Sequence, residues 1–476
     1  MRGWRVTALA LLAVTSAAQA TVARDGVLGT SFAIEVRGAA EAPAERAALA
    51  EIARLEALLS TWRADSELSA YNAGRIARDA LSADTLAVLE ACERWREATR
   101  DAFSCRVGPL VERWRAAEAE GAMPDRGALR RQARAIDAAP WPAEGALEAG
   151  GALRFDVDGI AKGYILDRAL AAARAAVPGA TGIRIEIGGD LAHWGSDGEG
   201  RGWAAGVADP LHPLDNAAPR VVLRLEGRAL AASGHASRGY TVGRRRLSHI
   251  VDPRDGQALR YAPAAVVVAP DAATADALAT ALTVLPIRSG LELVDGIDGV
   301  AALVVGDAGV PFASARWPAL VDAGAETSVP EHARVEVDYA IPQFDADGYR
   351  RPYLALWIER ADGAPVRQLH VLGDRARWLA ELPQWWRQYG RDDPVAPLAL
   401  ARPTRAPGRY ALAWDGRDDL GRAVADGRYV LRVEAAREHG GHDVVAVPFD
   451  LGGADAAWHQ PARGEIGDID IRHAAP

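Results

Sequence analysis

The stretch FDVDGIAKGYILDRAL, residues 155–170, combines a strand-to-helix transition with the only lysine of the chain. FDVD alternates in polarity as a strand does, Gly159 interrupts the alternation, and Ile160 to Val177 has the apolar spacing of a helix. Asp158 is therefore predicted to be the N-cap of this helix. The free amides of the first helical turn would face whatever lies above them, and helix N-termini favour anions.

Lys162 stands out because 55 residues are Lys or Arg and every other one is arginine. This usage indicates a compositional bias, so an arginine would be expected at position 162 if any cation were sufficient. Lysine offers a compact, movable charge to an anion at the helix start. The residues alone leave a second interpretation open, in which Asp158 is a cap and Lys162 is its solvated partner four residues on.

Length and charge limit the class of protein. At 476 residues the chain is long enough for two or three domains, and its hydrophobic content of 49% is that of a folded protein. The net charge is −9 at pH 7. We expect no nucleic-acid partner, because the arginines are scattered among more numerous acidic residues.

Residues 1–20 are typical of an export signal. Arg2 and Arg5 precede an apolar run from Val6 to Ala18, and Ala18-Gln19-Ala20 is a small-x-small cleavage site. The predicted location is therefore the periplasm, as a soluble protein, with membrane association through an uncleaved anchor as the alternative.

The chain has two cysteines, Cys92 and Cys105. An oxidising compartment permits a bridge between them, but two cysteines in a chain of this length form no disulfide framework. The favoured interpretation is two small, separately buried side chains, with the bridge left open as the alternative.

The first two thirds of the chain mix helices with irregularly spaced strands, which favours an α+β domain over a regular βαβ repeat. The predicted helices are Ala39–Trp62, Ala83–Arg100, Ile160–Val177 and Ala272–Leu285, and the predicted strands are Ile183–Ile187, Val221–Leu225 and Ala264–Ala269.

The segment VDAGAETSVPEH, residues 321–332, loses this periodicity and is predicted to separate two domains. The predicted organisation is an export signal at 1–20, an α+β domain at 21–322 and a second domain at 323–476. In the second domain short strands alternate with turns, which predicts an all-β, immunoglobulin-like sandwich. Its predicted strands are Arg334–Tyr339, Tyr353–Glu359, Val366–Leu372, Tyr429–Glu434 and Val444–Phe449, with one helix at 376–389.

Two loop motifs could carry chemistry. Gly188 and Gly189 end a predicted strand before Asp190, and they either let a ligand approach the backbone or form a tight turn. His249, in LSHIVDPRDG at 247–256, lies beside a predicted turn. It is either a structural hydrogen-bonding group or a base near a phosphate site.

The helix predicted at Ala272–Leu285 places Asp276 and Thr280 on one face, because they are four residues apart. A carboxylate and a hydroxyl presented together suit a hard cation such as Mg²⁺, which completes its shell with phosphate and water. The alternative is an alanine-rich helix that carries two polar residues.

The order of these motifs resembles the ApbE family, the FAD:protein FMN transferases exported by bacteria. After Trp62-x-x-x-Ser66 the chain has DxxGxAKGYxxD, GGD, SGHxSRGY, SHxxDPRxG and PDAxxADALATAL. The resemblance spans Val27 to Trp317 and implies an α+β flavin-transferase fold with FAD in a cleft between two lobes. It also implies a Mg²⁺-dependent reaction in which FMN passes from FAD to an exported electron-transfer protein and AMP leaves. The implied acceptor has a Ser/Thr-Gly-Ala-Thr-like site, with a membrane-associated redox complex as one setting.

The resemblance implies roles for individual residues. The metal would contact the carbonyl of Gly159 and the side chains of Asp276 and Thr280. His249, Lys162 and Asp276 would be the catalytic residues, with His249 at the phosphoryl centre as a base or as a phosphate contact. The residues implied to bind FAD are Leu28, Trp62, Ala102, Phe103, Ser104, Asp156, Lys162, Gly188, Gly189 and His249.

Some positions depart from the family's usual motifs. Leu28 replaces a methionine and Trp62 replaces a tyrosine, and both can still pack on a flavin ring. Ser104 stands where the family usually has an aspartate, and SGHASRGY at 233–240 is also off-pattern. A flavin-binding protein of impaired activity and an FAD pyrophosphatase that releases FMN and AMP are therefore alternatives.

The second domain resembles an uncharacterised family of exported β-domains, marked here by RPYxALW, TRAPGxY and WDGxDxxG. Such domains occur beside flavin-transferase components, which implies a partner-docking module. Thr404 lies where an acceptor site would be, but its surroundings lack the glycine and alanine of acceptors. Self-flavinylation at Thr404 is thus the lesser alternative.

Overall fold

The structure, a computed structural model, describes residues 22–200, 202–208, 221–234, 239–261, 263–306, 310–322, 335–344, 349–373, 379–390, 401–402, 404–419, 422–438 and 440–473. The predicted export signal, His235 and most of the predicted boundary at 321–332 lie outside these residues. Within them, no helix is long and apolar enough to cross a membrane.

The first part of the chain is built on an eight-stranded antiparallel sheet. Its strands, in spatial order, are β1 (Val22–Val27), β2 (Thr30–Arg37), β3 (Gly182–Ile187), β4 (Asp190–Gly195), β7 (Ala229–Ser233), β10 (Ala264–Ala269), β11 (Ala301–Val305) and β12 (Pro311–Ala313). Two antiparallel pairs lie outside it, β5 (Trp203–Val207) with β6 (Val221–Leu225) and β8 (Gly239–Val242) with β9 (Arg245–Ser248). The strands predicted at 221–225 and 264–269 have the predicted bounds.

One face of this sheet is covered by three helices, Glu41–Leu59, Ala161–Ala176 and Ala272–Val284. The helices of this part are α1 (Glu41–Leu59), α2 (Glu67–Asn72), α3 (Ala83–Ala98), α4 (Gly108–Glu120), α5 (Arg126–Ala138), α6 (Ala161–Ala176), α7 (Ala272–Val284) and α8 (Ile287–Asp295). Leu55 of α1 and Leu166 of α6 are buried in one core with Phe32 and Ile185 of the sheet. α7 packs between α6 and strands β7 and β10, which explains why its surface is apolar nearly all round.

Two smaller cores complete this part. The β5–β6 pair covers the other sheet face, where Leu223 packs with Leu303 and Trp317. Helices α4 and α5 pack on the β8–β9 hairpin through Trp114 and Tyr240. This second core lies beside the segment that leads into α6, since Gly108 approaches the backbone of Arg154.

The second part of the chain forms two sheets packed face to face. One has the order β17 (Gly408–Trp414), β13 (Val335–Ile341), β21 (Ile469–His473) and β20 (Ala456–Gln460); the other has the order β16 (Ala401–Arg402), β15 (Pro365–Leu372), β14 (Tyr353–Arg360), β18 (Gly427–Ala436) and β19 (His442–Leu451). Val337 and Trp414 of the first sheet share a core with Leu356 and Leu431 of the second. The prediction of an α+β domain followed by an all-β sandwich is confirmed.

The helix predicted at 376–389 is wrong as a single element. Residues 374–378 lie outside the described residues, and most of the remainder forms a helical turn, Pro383–Trp385, followed by a π-helical turn, Trp386–Gly390. Pro383 explains the break, because proline can begin a helix but cannot donate a hydrogen bond inside one.

Cys92 and Cys105 are joined by a disulfide, so the favoured interpretation of separate side chains is wrong. Their Cα atoms are 5.7 Å apart. The chain reverses direction after α3 at Arg100 and Asp101, which both have positive φ. This reversal brings Cys105 back beside α3, a contact that spacing along the chain does not reveal.

Candidate active site

Helices α6 and α7 meet at their N-terminal ends, and a glycine makes this possible. A Cβ atom on Gly163 would lie 2.2 Å from the carbonyl oxygen of Ala272 and 2.8 Å from the Cα atom of Ala273. Each helix also caps the other. The Gly163 N–H donates to Oδ2 of Asp276 at 3.0 Å. In return, the Asp167 carboxylate accepts from the amides of Ala272 and Ala273 at 2.8 and 3.0 Å. This reciprocal capping holds Asp276 against the first turn of α6.

The prediction that Asp158 caps this helix is wrong. α6 begins at Ala161, and its N-cap residue, Ile160, makes no side-chain cap bond. The Asp158 carboxylate instead accepts from Oγ1 of Thr61 at 3.2 Å. The cap comes from Asp276 on another helix, a tertiary contact that outweighs the local preference of an aspartate before a helix.

Lys162 forms an ion pair with Asp190, with 2.9 Å between Nζ and Oδ2. Asp190 begins β4, and its other oxygen accepts from the amide of Ala232 at 3.2 Å. Gly188 and Gly189 form the turn that joins β3 to β4, with φ values of 57° and 92°. These left-handed conformations favour glycine, so the tight-turn interpretation accounts for both residues.

The buried Asp276 and Asp190 form a charged cluster with the partly exposed Lys162, called the triad cluster below. Burial, with a smaller effect of Asp190, raises the pKa of Asp276 to about 7 against the opposing effect of Lys162. Burial also raises the pKa of Asp190, against the effect of Lys162. Once both carboxylates are ionised, they outnumber the single ammonium, and a divalent cation would neutralise the excess negative charge.

The Gly159 backbone lies next to Thr280, as the predicted metal site requires. A Cβ atom on Gly159 would lie 3.3 Å from Oγ1 of Thr280 and 3.1 Å from Cε2 of Phe103. Thr280 follows Asp276 by one turn of α7. In the described part of the chain, no group of three or more His, Cys, Asp or Glu side chains could hold a metal ion. A cation here would therefore need the backbone and hydroxyl oxygens as well, and these donors fit Mg²⁺.

Asp156 lies on a segment that is fixed at two neighbouring residues. The Asn72 side chain bonds both the N–H and the carbonyl of Phe155, each at 2.7 Å. The Asp156 N–H donates to the carbonyl of Cys105 at 2.7 Å. Burial, together with a smaller effect of the neighbouring Asp158, raises the pKa of Asp156 to about 7. Asp156 can therefore hold a proton near neutral pH.

Trp62 presents an open aromatic face near Asp156. Its side chain is 72% exposed, and the guanidinium carbon of Arg115 lies 4.2 Å from its ring centroid. Arg115 is also close enough to Asp156 to offset part of the rise in its pKa. An exposed indole held in this way is suited to stack on a planar ring.

His249 is half-buried and directly follows β9, whose last residue, Ser248, pairs with Gly239 of β8. The next residue of β8 is Tyr240. Burial raises the pKa of Tyr240 to about 12, with Asp156 among the contributors. The hairpin that carries His249 thus lies on the Asp156 side of the site.

Leu28 and Gly29 form the turn between β1 and β2, with φ values of 51° and 73°. Leu28 packs against the main core. Thr30, at the start of β2, lies beside the Gly188–Gly189 turn, since a Cβ atom on Gly188 would be 2.8 Å from the Thr30 side chain. The structure therefore brings Leu28 and Gly188 to the same end of the sheet.

Ala102, Phe103 and Ser104 lie between α3 and α4. Ala102 and Phe103 are buried, so they pack behind the surface of the site and expose little of their own surface to it. Ser104 accepts from the amide of Arg106 at 3.2 Å and lines a cavity of about 150 Å³ with Arg106 and Arg254. The triad cluster does not contribute to the lining of this cavity.

Three supporting residues have roles that are not predicted from the sequence: Asp190, Asp167 and Asn72. Asp190 and Asp167 belong to the GGD and DxxGxAKGYxxD motifs, and this position in a motif was the available signal. Their partners are distant in the chain, so the roles appear only in the fold. Asn72 has no comparable signal.

Residues 28–304 match the ApbE family, and residues 334–468 match a family described as a predicted periplasmic protein, DUF2271. Similar proteins include an FAD:protein FMN transferase of Klebsiella pneumoniae, 29% identical over 288 residues, 56% of this chain and 79% of the relative. Another is an FAD:protein FMN transferase of Haemophilus influenzae, 29% identical over 252 residues, 51% of this chain and 72% of the relative. The crystal structure of the ApbE protein of Thermotoga maritima has a TM-score of 0.54 at 26% identity, covering 63% of this chain and 98% of that one.

Proposed function

The chain belongs to the ApbE family, which matches more than half of its residues, and we propose that it is an FAD:protein FMN transferase. The proposed reaction splits the pyrophosphate of FAD, releases AMP and links FMN through its phosphate to a threonine or serine of an exported acceptor protein. The relatives bear the name of this activity. The observation that carries the proposal is the triad cluster of Lys162, Asp190 and Asp276, with Gly159 and Thr280 beside it.

The metal site proposed here consists of the Gly159 carbonyl, the Asp276 carboxylate and the Thr280 hydroxyl. A Mg²⁺ ion held there would neutralise charge on the diphosphate of FAD. The excess negative charge that the triad cluster carries once both carboxylates are ionised supports this assignment. Asp276 would have to lose its proton to serve as a ligand.

Lys162 is assigned to the diphosphate. Its ammonium can donate to phosphate oxygens, and the buried Asp190 keeps it from swinging into solvent. A fixed cation favours the transition state, in which negative charge grows on the leaving group.

In the transfer step, the acceptor hydroxyl oxygen forms a bond to the phosphorus on the FMN side of FAD. The bond from that phosphorus to the bridging oxygen breaks, and the electron pair leaves with AMP. The hydroxyl proton passes to His249, whose imidazole would act as the general base. A contact from His249 to phosphate alone is the rival role.

The remaining residues are assigned to the rest of FAD. Trp62 and Leu28 would contact the isoalloxazine ring, which the open face of Trp62 supports. The other proposed contacts are Ala102, Phe103, Ser104 and Asp156 at one wall and the Gly188–Gly189 backbone at the end of the sheet.

The proposed location is the periplasm, which the description of the DUF2271 family supports. We assign the sandwich to docking of the acceptor protein. Thr404 is only 8% exposed, which argues against it as an acceptor hydroxyl.

One assay separates the proposal from its rivals. Purified protein is incubated with FAD, Mg²⁺ and a peptide that bears the threonine acceptor motif. Peptide-bound FMN with an equal amount of AMP supports transfer. Free FMN with AMP would show a pyrophosphatase, and bound, intact FAD would show a flavin-binding protein without turnover.

A further inference from the structure

The disulfide between Cys92 and Cys105 lies next to one wall of the proposed FAD site. Cys92 belongs to α3, and Cys105 directly follows the segment Ala102-Phe103-Ser104. Both side chains are buried, with exposed fractions of 0% and 2%. The bridge therefore fixes the end of this wall to a helix of the main core.

Cys105 also holds the segment that leads into α6. Its carbonyl accepts from the N–H of Asp156 at 2.7 Å. The preceding residue, Phe155, has a different anchor, because its N–H donates to Oδ1 of Asn72 at 2.7 Å. Two adjacent amides thus depend on two separate supports, and only one of them is tied to the bridge.

Phe103, two residues before Cys105, contacts the proposed metal site. Its ring packs on the Gly159 backbone, where a Cβ atom would lie 3.1 Å from Cε2 and 3.3 Å from Thr280. Its amide donates to Oγ1 of Thr99 at 3.0 Å. A displacement of Phe103 would therefore change the packing beside the Gly159 carbonyl.

An ion pair joins the same two segments as the disulfide. Arg106 donates to both oxygens of Glu93, at 2.8 and 2.7 Å, and to the carbonyl of Ala139 at 2.7 Å. This bidentate pair joins the residues that follow the two cysteines. We expect it to keep the chain folded when the disulfide is absent.

We propose that the Cys92–Cys105 disulfide is a positioning element of the FAD site, which holds the Cys105 carbonyl and Phe103 so that Asp156 and Gly159 stay in place for the ligand. The identity of the ligand rests on the proposed function. The hydrogen bond that connects Cys105 of the bridge to the Asp156 segment does not depend on the proposed function.

The test compares the wild type with a variant that combines Cys92→Ala and Cys105→Ala. Hydrogen exchange at the Asp156 amide should become faster by at least about tenfold, while the Phe155 amide should keep its protection. FAD affinity, measured by flavin fluorescence without acceptor, should weaken by about three- to tenfold, because one or two loosened side chains must be ordered on binding.

A reductant provides the matched control. The chain has two cysteines, so dithiothreitol should reproduce both changes in the folded wild type and change nothing in the double variant. This treatment also replaces the variant if the variant does not fold.

Two outcomes would overturn the proposal. Equal exchange rates before and after loss of the bridge would remove the link to Asp156. A lower thermal midpoint with both amides affected alike and unchanged FAD affinity would make the bridge a general stabiliser. If the wild type bound no FAD at all, the proposed function would fail, and the comparison of the two amides would still decide the positioning role.

Discussion

Lys162 pairs with a buried carboxylate, which favours a compact ammonium where the rest of the chain uses guanidinium. Its partner Asp190 is 1% exposed, and the next residue, Gly163, touches the start of α7. A planar guanidinium is broader and would meet the Asp190 carboxylate in a different geometry. We expect Lys162→Arg to lower the transfer rate by at least about tenfold, equivalent to about 1.4 kcal/mol of barrier.

The matched control for this substitution is Arg168→Lys on the same helix. The Arg168 side chain is 50% exposed, and its ion pairs are longer, at 3.6 and 3.8 Å. Exposed pairs of this kind contribute little, so kcat and KM should stay within about twofold of the wild type. Equal rates for Lys162→Arg and the wild type would remove Lys162 from the catalytic residues.

The pKa of Asp276 predicts how pH and Mg²⁺ act together. Without the ion, Asp276 keeps its proton up to about pH 7, whereas an ordinary aspartate loses it near 3.8. The folded state therefore binds more protons than the unfolded chain in this window, and the stability from this group is lost as the pH rises through about 7. Mg²⁺ binds the carboxylate, so its stabilising effect should grow over the same range.

This prediction is checked by thermal unfolding with and without Mg²⁺ at about pH 5.5 and about pH 8. The ion should raise the unfolding midpoint clearly at the higher pH and little at the lower one. Asp276→Asn should abolish the difference and lower the transfer rate by at least about tenfold. An equal rise at both pH values in the wild type would contradict Asp276 as a ligand.

At the scale of single residues, the sequence predicts the cation but not its surroundings. Lys162 can be singled out because it is the only lysine of the chain. Its partner Asp190 lies beyond α6 and β3, and only the β3–β4 turn brings it back. Asp276 was predicted as a metal ligand from its spacing to Thr280, yet its bond to the Gly163 amide depends on the packing of two helices.

At the scale of elements, reciprocal capping between α6 and α7 predicts two different consequences for two aspartates. Asp167 caps α7 from another helix, whereas Asp271 caps the same helix locally by accepting from the amide of Thr274 at 2.7 Å. Loss of either cap should lower the free energy of unfolding by about 1 kcal/mol. Asp167→Ala should also loosen α7 against α6, and so weaken Mg²⁺ binding, because Asp276 is carried by α7.

The measurement pairs chemical denaturation with a titration of Mg²⁺ for Asp167→Ala and Asp271→Ala. Both variants should lose stability by similar amounts, and the Asp167→Ala variant should need several-fold more Mg²⁺ for half-maximal activity. Equal Mg²⁺ requirements would show that the cap from Asp167 is not coupled to the metal site.

Sequence periodicity predicts the bounds of some strands correctly. Strands with continuous or alternating apolar residues, such as β6 and β10, were predicted with their observed bounds. The N-cap assigned to Asp158 and the separate cysteines were wrong because each depends on a partner brought close by tertiary packing. The local preference of a residue is overridden where a carboxylate or thiol distant in the sequence comes into contact in the fold.

At the scale of the whole molecule, the described residues form two sets of hydrophobic cores that do not mix. One set comes from residues up to Leu320 and the other from Val335 onwards. Asp322, the last described residue of the first part, pairs with Arg224 of β6 at 2.7 Å. The proposed boundary after residue 322 would therefore leave the first part with its cores complete.

A chain shortened to residues 21–322 tests both this boundary and the proposed role of the sandwich. The shortened chain should unfold cooperatively and bind FAD within about threefold of the full protein, because the triad cluster and its supports all lie before residue 323. It should transfer FMN to a short threonine peptide at an undiminished rate, since the peptide needs only the active site. With a whole acceptor protein, KM should rise by at least about tenfold while kcat changes little, the pattern expected when binding energy remote from the reacting centre is removed. An unchanged KM for the acceptor protein would show that the sandwich does not dock it, and loss of FAD binding would place the boundary elsewhere.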